Sequence, residues 1–294
     1  MEDGDGEEEE AAGAALLELP PELLDRVSAA MCLQAYGRFA RASRACKAAA
    51  DRTPIGAVVA AEVARRLKAG HKGVDDDEGE VYSNSLDVLF SKCPELVLPA
   101  GIKSIDDEAF EHCYSLTSIT LPPDLESIGQ DAFYFCTALP TVVLPPMVKS
   151  IGDGAFHSCS FTSITLPAGL QRIGAAAFHS NDQLTAVVIP DSVTEIGGCA
   201  FAGLESLVSL TLPAGIIEVA PKLAPSCSSL TAIAIPEGVT SIGRSAFDGC
   251  TALVTVTLPT SLTSIGINAF SFCPNLDAAS RARILAINPQ AMQY

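Results

Sequence analysis

The sequence predicts a repeat solenoid, a curved parallel β-sheet with short turns and helical turns on its other side, preceded by a small α-helical module. Three observations carry this prediction. A proline after Leu or Ile returns at Pro99, Pro122, Pro145, Pro167, Pro190, Pro213, Pro236 and Pro259, with gaps of 23 residues and a single gap of 22. Around each proline the same order of apolar residues, glycine and cysteine recurs, and a fixed period of this length marks stacked structural units. Ahead of the repeats, residues 16–70 are rich in Ala and Arg and place Leu23, Leu24, Val27 and Met31 at helical intervals.

Residues 116–136, LTSITLPPDLESIGQDAFYFC, display one unit, which generalises to L-x-x-I-x-L-P-x-x-L-x-x-I-G-x-x-A-F-x-x-C. The I-x-L stretch alternates as a strand does, and the proline, having no N–H to donate, falls where the strand ends. A second short extended piece closes on Gly129, Gly152, Gly174, Gly197, Gly243 or Gly266. Glycine there is expected to take positive φ and turn the chain. The A-F-x-x-C segment, with apolar residues three apart, suits one short helical turn. At about 4.8 Å per stacked strand, eight units give a parallel sheet roughly 35–40 Å long.

Stacking also predicts side-chain ladders. Phe110, Phe133, Phe156, Phe178, Phe201, Phe247 and Phe270 form one, and Cys113, Cys136, Cys159, Cys227, Cys250 and Cys273 a second, with Cys93 as a candidate first rung. Asn181 and Leu204 take the cysteine slot in two units, and the sixth unit departs furthest, with Val219-Ala220 for Ile-Gly and Ala224 for Phe. Two uses of the thiols stand open: small buried packing residues, or metal binding and crosslinking. The chain has no C-x-x-C pair to chelate zinc, and a slot that also accepts Leu204 points to packing. His157 and His179 share a slot in neighbouring units beside the buried Phe, which places them together on an exposed turn.

This spacing and wording resemble the BspA-like class of leucine-rich repeats across about residues 89–276. The resemblance implies a leucine-rich repeat solenoid and a binding function without naming a ligand. Bacterial surface adhesins belong to the class.

In each first strand the residues flanking the buried Ile point to the opposite, concave face. They are Ser118 and Thr120, Thr141 and Val143, Ser163 and Thr165, Ala186 and Val188, Ser209 and Thr211, Ala232 and Ala234, and Thr255 and Thr257. This surface is uncharged, small and hydroxyl-rich, fit for docking a protein partner, although Ser and Thr are also ordinary exposed strand residues. Tyr134 and Phe135, at variable turn positions, are alternative anchors.

The front end, LPPELLDRVSAAMCLQAYGRFARASRACKAAAD at residues 19–51, resembles an F-box. Leu19, Pro20, Glu22, Leu23, Leu24, Val27 and Met31 match its first half, and Tyr36, Arg38, Phe39 and Ser43 its second, while Ala42 and Cys46 depart from it. The resemblance implies docking on a Skp-type adaptor of a cullin ubiquitin ligase through Leu19, Pro20, Leu23, Leu24, Val27, Met31, Tyr36 and Phe39, with the repeats binding the target. The alternative is a generic repeat binding or scaffold protein whose N-terminal helices form only a structural cap. The expected organisation is an acidic disordered tail at 1–15, the helical module at 16–70, an acidic linker at 71–88, the solenoid at 89–276 and a C-terminal helical cap at 277–294. In the cap, Asp277 opens a helix that Pro289 ends.

The net charge of −17 resides largely in the runs MEDGDGEEEE and VDDDEGE and in the repeats, which disfavours a nucleic-acid ligand. No apolar run reaches the length of a bilayer span, and the opening acids are unlike a secretion signal, so a cytoplasmic or nuclear location is expected. H-E-x-x-H, G-x-S-x-G, G-x-x-x-x-G-K-S/T and G-x-G-x-x-G are all missing. The expectation is therefore a non-enzyme with no cofactor and no metal, acting through protein partners.

Overall fold

The computed structural model describes residues 95–98 and 103–292. The F-box-like segment, both acidic runs and Cys93 lie outside these residues. Each of the eight coils contributes a short strand after the proline turn, and six of them also contribute one before it. The first series is β1 (Glu95–Val97), β3 (Ser118–Thr120), β7 (Ala186–Val188), β9 (Ser209–Thr211), β11 (Ala232–Ala234) and β13 (Thr255–Thr257). The second is β2 (Ser104–Ile105), β4 (Ser127–Ile128), β5 (Ser150–Ile151), β6 (Arg172–Ile173), β8 (Glu195–Ile196), β10 (Glu218–Val219), β12 (Ser241–Ile242) and β14 (Ser264–Ile265).

All pairing is parallel and one coil out of step, as Ser104 opposite Ser127 and Ala232 opposite Thr255 illustrate. First strands pair in twos, β1 with β3, β7 with β9 and β11 with β13, with a bridge from Val143 to Thr165 between. Second strands form a five-stranded ladder β2-β4-β5-β6-β8 and a separate three-stranded ladder β10-β12-β14.

One apolar column fills the coil. The Phe rings at its centre are fully buried and stacked at centroid distances of 5.1 Å (Phe110–Phe133), 5.2 Å (Phe133–Phe156), 5.6 Å (Phe156–Phe178 and Phe178–Phe201) and 5.5 Å (Phe247–Phe270). These are favourable ring separations, and each pair adds to the free energy of burying its area. Ala224 interrupts the column in the sixth coil.

Two expectations are corrected. The recurring glycines do not turn the chain: none of Gly129, Gly152, Gly174, Gly197, Gly243 and Gly266 has positive φ. They are glycines because a Cβ at Gly152 would lie 2.5 Å from the Gly129 carbonyl carbon, and at Gly266 2.4 Å from the Arg244 nitrogen. The backbones of adjacent coils touch there. The A-F-x-x-C segment is not a helical turn either. The left-handed conformation falls two residues before and two after each Phe, as at Asp131 (φ 49°) and Phe135 (φ 58°) around Phe133. This aims backbone N–H groups at the next coil, so that Asp131, Phe133 and Phe135 donate to Asp153, Ala155 and His157 at 2.8, 2.8 and 2.9 Å. The alternate N–H groups bond within the segment, Tyr134 to Asp131 O at 3.1 Å and Cys136 to Phe133 O at 3.2 Å, but the left-handed residues keep these single turns from joining into a helix.

The cysteine ladder is buried and hydrogen-bonded. Cys136, Cys159 and Cys227 each donate to the carbonyl of a Phe one coil earlier at 3.2 Å, and Cys273 does so at 3.3 Å. Asn181 in this slot donates to Phe156 O at 2.8 Å and to Phe178 O at 3.0 Å, while its amide oxygen accepts from Phe161 N. The second donation supplies the bond that Leu204, one coil on, cannot make to Phe178.

Helix α1 (Ala278–Ile287) closes the column. Asp277 is its N-cap and accepts from the Ser280 N–H at 2.7 Å. Beyond it a 3-10 turn, Pro289–Met292, supplies the carbonyls of Gln290 and Ala291 to the N–H groups of Asn268 and Phe270. The tail thereby provides the acceptors that a further coil would have provided.

Candidate binding surface

The first-strand face is displayed as one surface. The strand triplets alternate exposed, buried, exposed, with Ile119, Val187, Leu210, Ile233 and Val256 turned inward. Ser118, Thr120, Thr141, Val143, Ser163, Thr165, Ala186, Val188, Ser209, Thr211, Ala232, Ala234, Thr255 and Thr257 are all exposed. Val143 and Val188 are 80% and 65% exposed, so the central coils carry branched apolar side chains amid hydroxyls. No charge lies on these positions. Small, stiff side chains of this kind lose little rotamer entropy on contact.

A second, aromatic stripe runs along the Phe turns. Tyr134 and Phe135 meet at 4.7 Å between ring centroids, and Tyr134 reaches His157 at 4.8 Å. His157 and His179 lie parallel, 4.5 Å apart with an interplanar angle of 3°. The Nδ1 atoms of His157 and His179 are held by the hydroxyls of Ser158 and Ser180 at 2.9 and 2.8 Å. Partial burial lowers the pKa of both histidines, and the charge of His179 lowers that of His157 further. The pair is therefore partly buried and stacked rather than lying free on an exposed turn. His112 joins the stripe, 5.6 Å from Phe135, with its Nδ1 at 2.8 Å from the Tyr114 hydroxyl. Sequence reasoning missed His112 and Tyr114. A slot-by-slot alignment holds the signal for His112, which stands two residues after Phe110 as Phe135 stands two after Phe133.

Among the described residues no group of three or more His, Cys, Asp or Glu could hold a metal ion. Burial raises the Cys227 and Cys273 thiols to about 12 and pushes those of Cys159 and Cys250 well up, which suits packing and not ligation. No helix among the described residues is long and apolar enough to cross a membrane.

The BspA type leucine rich repeat region matches residues 87–185 and 171–291, in six copies. The chain belongs to this family. No curated protein matches it. Among solved structures, the family fold recurs in a leucine rich repeat protein of T. pallidum at 31% identity and a TM-score of 0.50, over 66% of this chain and 83% of that one. A leucine rich cell surface protein of Faecalibacterium prausnitzii matches at 32% identity and 0.45, over 70% of this chain and 65% of that one. The pneumococcal vaccine antigen PcpA matches at 21% and 0.44, over 63% and 61%. The cytoplasmic or nuclear placement expected from the sequence is withdrawn: of these similar proteins, one is described as a cell surface protein and another as a vaccine antigen. That placement rested on the lack of a recognisable secretion signal and of a long apolar run, and such a lack does not by itself assign a compartment.

Proposed function

We propose that the chain is a non-catalytic binding or scaffold protein that engages other proteins through its solenoid, outside the cell or at its surface. The observation that carries this reading is the coil-by-coil display of paired, uncharged, small residues from Ser118 to Thr257, backed by a buried hydrophobic column. Membership of a repeat family that presents extended binding surfaces supports it. It replaces the ubiquitin-ligase adaptor function implied by the F-box-like resemblance. Neither the family nor the similar structures support a Skp-type adaptor.

Photo-crosslinking tests the proposal. Benzoylphenylalanine at Thr120, Thr165 or Thr211, in the chain produced by its own cells, is expected to yield protein adducts, and surface biotinylation to label the same chain. Deleting residues 1–70 should leave the adducts unchanged. Adducts that form only from turn positions such as Asp182, or that vanish with residues 1–70, would refute the proposal.

A further inference from the structure

The ladder of second strands is broken once, between β8 and β10. In every other coil from β4 to β14 the residue after the second strand donates to the coil before it, as Gly197 N does to Ile173 O and Gly243 N to Val219 O, both at 2.8 Å. That position in the sixth coil is Ala220, and neither its N–H nor that of Ile217 has a backbone acceptor among the described residues. The carbonyls of Thr194 and Ile196, the acceptors the register assigns to them, receive none of these bonds.

The cause is a single methyl group. At the equivalent glycines a Cβ would sit 2.3–2.6 Å from the preceding backbone, for example 2.3 Å from Ala175 N at Gly197. Ala220 carries that Cβ, so its coil cannot close on β8. The Phe turns of the same two coils remain joined, through Cys199 N to Lys222 O at 2.8 Å and Phe201 N to Leu223 O at 2.9 Å. The coils therefore hinge apart on the second-strand side only.

The opening is a cleft of about 730 Å³, within the range of ligand-binding sites. Arg172, Glu195, Ile196, Ile217, Glu218 and Thr240 line it. Ile217 is 70% exposed, although it is a large apolar residue. Arg172 is already drawn to Glu195 at 3.7 Å and to Asp153 at 3.9 Å, so the cleft holds three carboxylates against one guanidinium.

Unpaired acceptors on one wall and unpaired donors on the other are what an added strand satisfies. We propose that this cleft captures an extended peptide segment of a protein partner, which adds backbone hydrogen bonds along β8 or β10 and places a Lys or Arg side chain toward Glu195 and Glu218. The exposed Ile217 packs against a neighbouring apolar residue of the peptide. The site is separate from the first-strand face and can be tested separately.

Fluorescence anisotropy on the full chain decides the matter, with labelled Thr-Val-Lys-Val-Thr as the probe. This peptide is expected to bind, and its Thr-Val-Glu-Val-Thr counterpart to bind at least tenfold more weakly. Ala220→Gly, which installs the residue found in the other coils, is expected to close the ladder and cut Lys-peptide affinity at least tenfold. Glu195→Gln with Glu218→Gln should bring the two peptides to within about threefold of each other by removing the charge preference. Thr120→Arg, on the first-strand face, should leave peptide affinity unchanged. No binding of the Lys peptide to the parent chain, or equal binding by Ala220→Gly, overturns the proposal. So does competition by the chain's own residues 1–70, shown by tighter peptide binding once they are deleted. A chain that binds the peptide yet gives no strand-face adducts would refute the first-strand reading and leave this one standing.

Discussion

Substituting Gly152→Ala tests whether direct contact between coil backbones selects glycine. The new Cβ would lie 2.5 Å from the Gly129 carbonyl carbon and 2.6 Å from both the Gln130 nitrogen and the Gly129 oxygen. Each is a backbone atom, so no side chain can swing away, and the coil must move outward by about an ångström to reach ordinary contact. The sixth coil shows the result of such a move: the strand-side bonds go and the Phe-turn bonds stay. The bonds at risk here are Gly152 N to Ile128 O and Lys149 N to Glu126 O, both 2.8 Å, together with the β4–β5 pairing. Losing two or three bonds at about 1 kcal/mol each gives an expected destabilisation of about 2–3 kcal/mol. Urea denaturation followed by circular dichroism measures it. Gly169→Ala is the control: only Pro146 O, at 3.5 Å, lies near its added Cβ, and φ there is not positive. It should be neutral or stabilising by up to about 1 kcal/mol. If Gly152→Ala costs no more than Gly169→Ala, inter-coil contact is not what selects glycine.

Three further expectations concern buried polar groups. Asn181→Leu strands two carbonyls and one N–H in the column and should cost about 3–5 kcal/mol in urea midpoint analysis, whereas Asn181→Cys restores the bond to Phe156 O and should cost roughly half as much. Native-state alkylation at pH 8 should modify half-buried Cys199 well before Cys227 or Cys273, whose burial holds their thiols near 12; peptide mass spectrometry reads the order. His157 and His179 have folded pKa values below their unfolded ones, so the unfolded chain binds protons more readily. Their contribution is complete above the ordinary histidine range and is lost as pH falls through the lowered folded values. The fall in urea midpoint between pH 7 and pH 5 should therefore shrink in the His157→Phe, His179→Phe double variant.

The sequence by itself determined the period, the parallel stacking, and the Phe and Cys ladders. Each follows from a residue recurring at one slot, and stacking brings equal slots together whatever the details of the path. It also set the face on which Ser118, Thr120 and their counterparts stand, because strand alternation has a fixed period of two. It could not give the reason for its own glycines. Positive φ and close backbone approach both select glycine, and only the distance from Gly152 to the coil before it tells them apart. The left-handed residues beside each Phe were hidden for a related reason: Asp131, Phe135 and His112 are not glycines, and the bonds between coils that hold them there join residues a full period apart. The cleft at Ala220 was visible in the sequence only as a mismatch in one letter. Its meaning depends on a methyl group meeting a backbone 23 residues earlier, a contact that exists only once the chain has coiled.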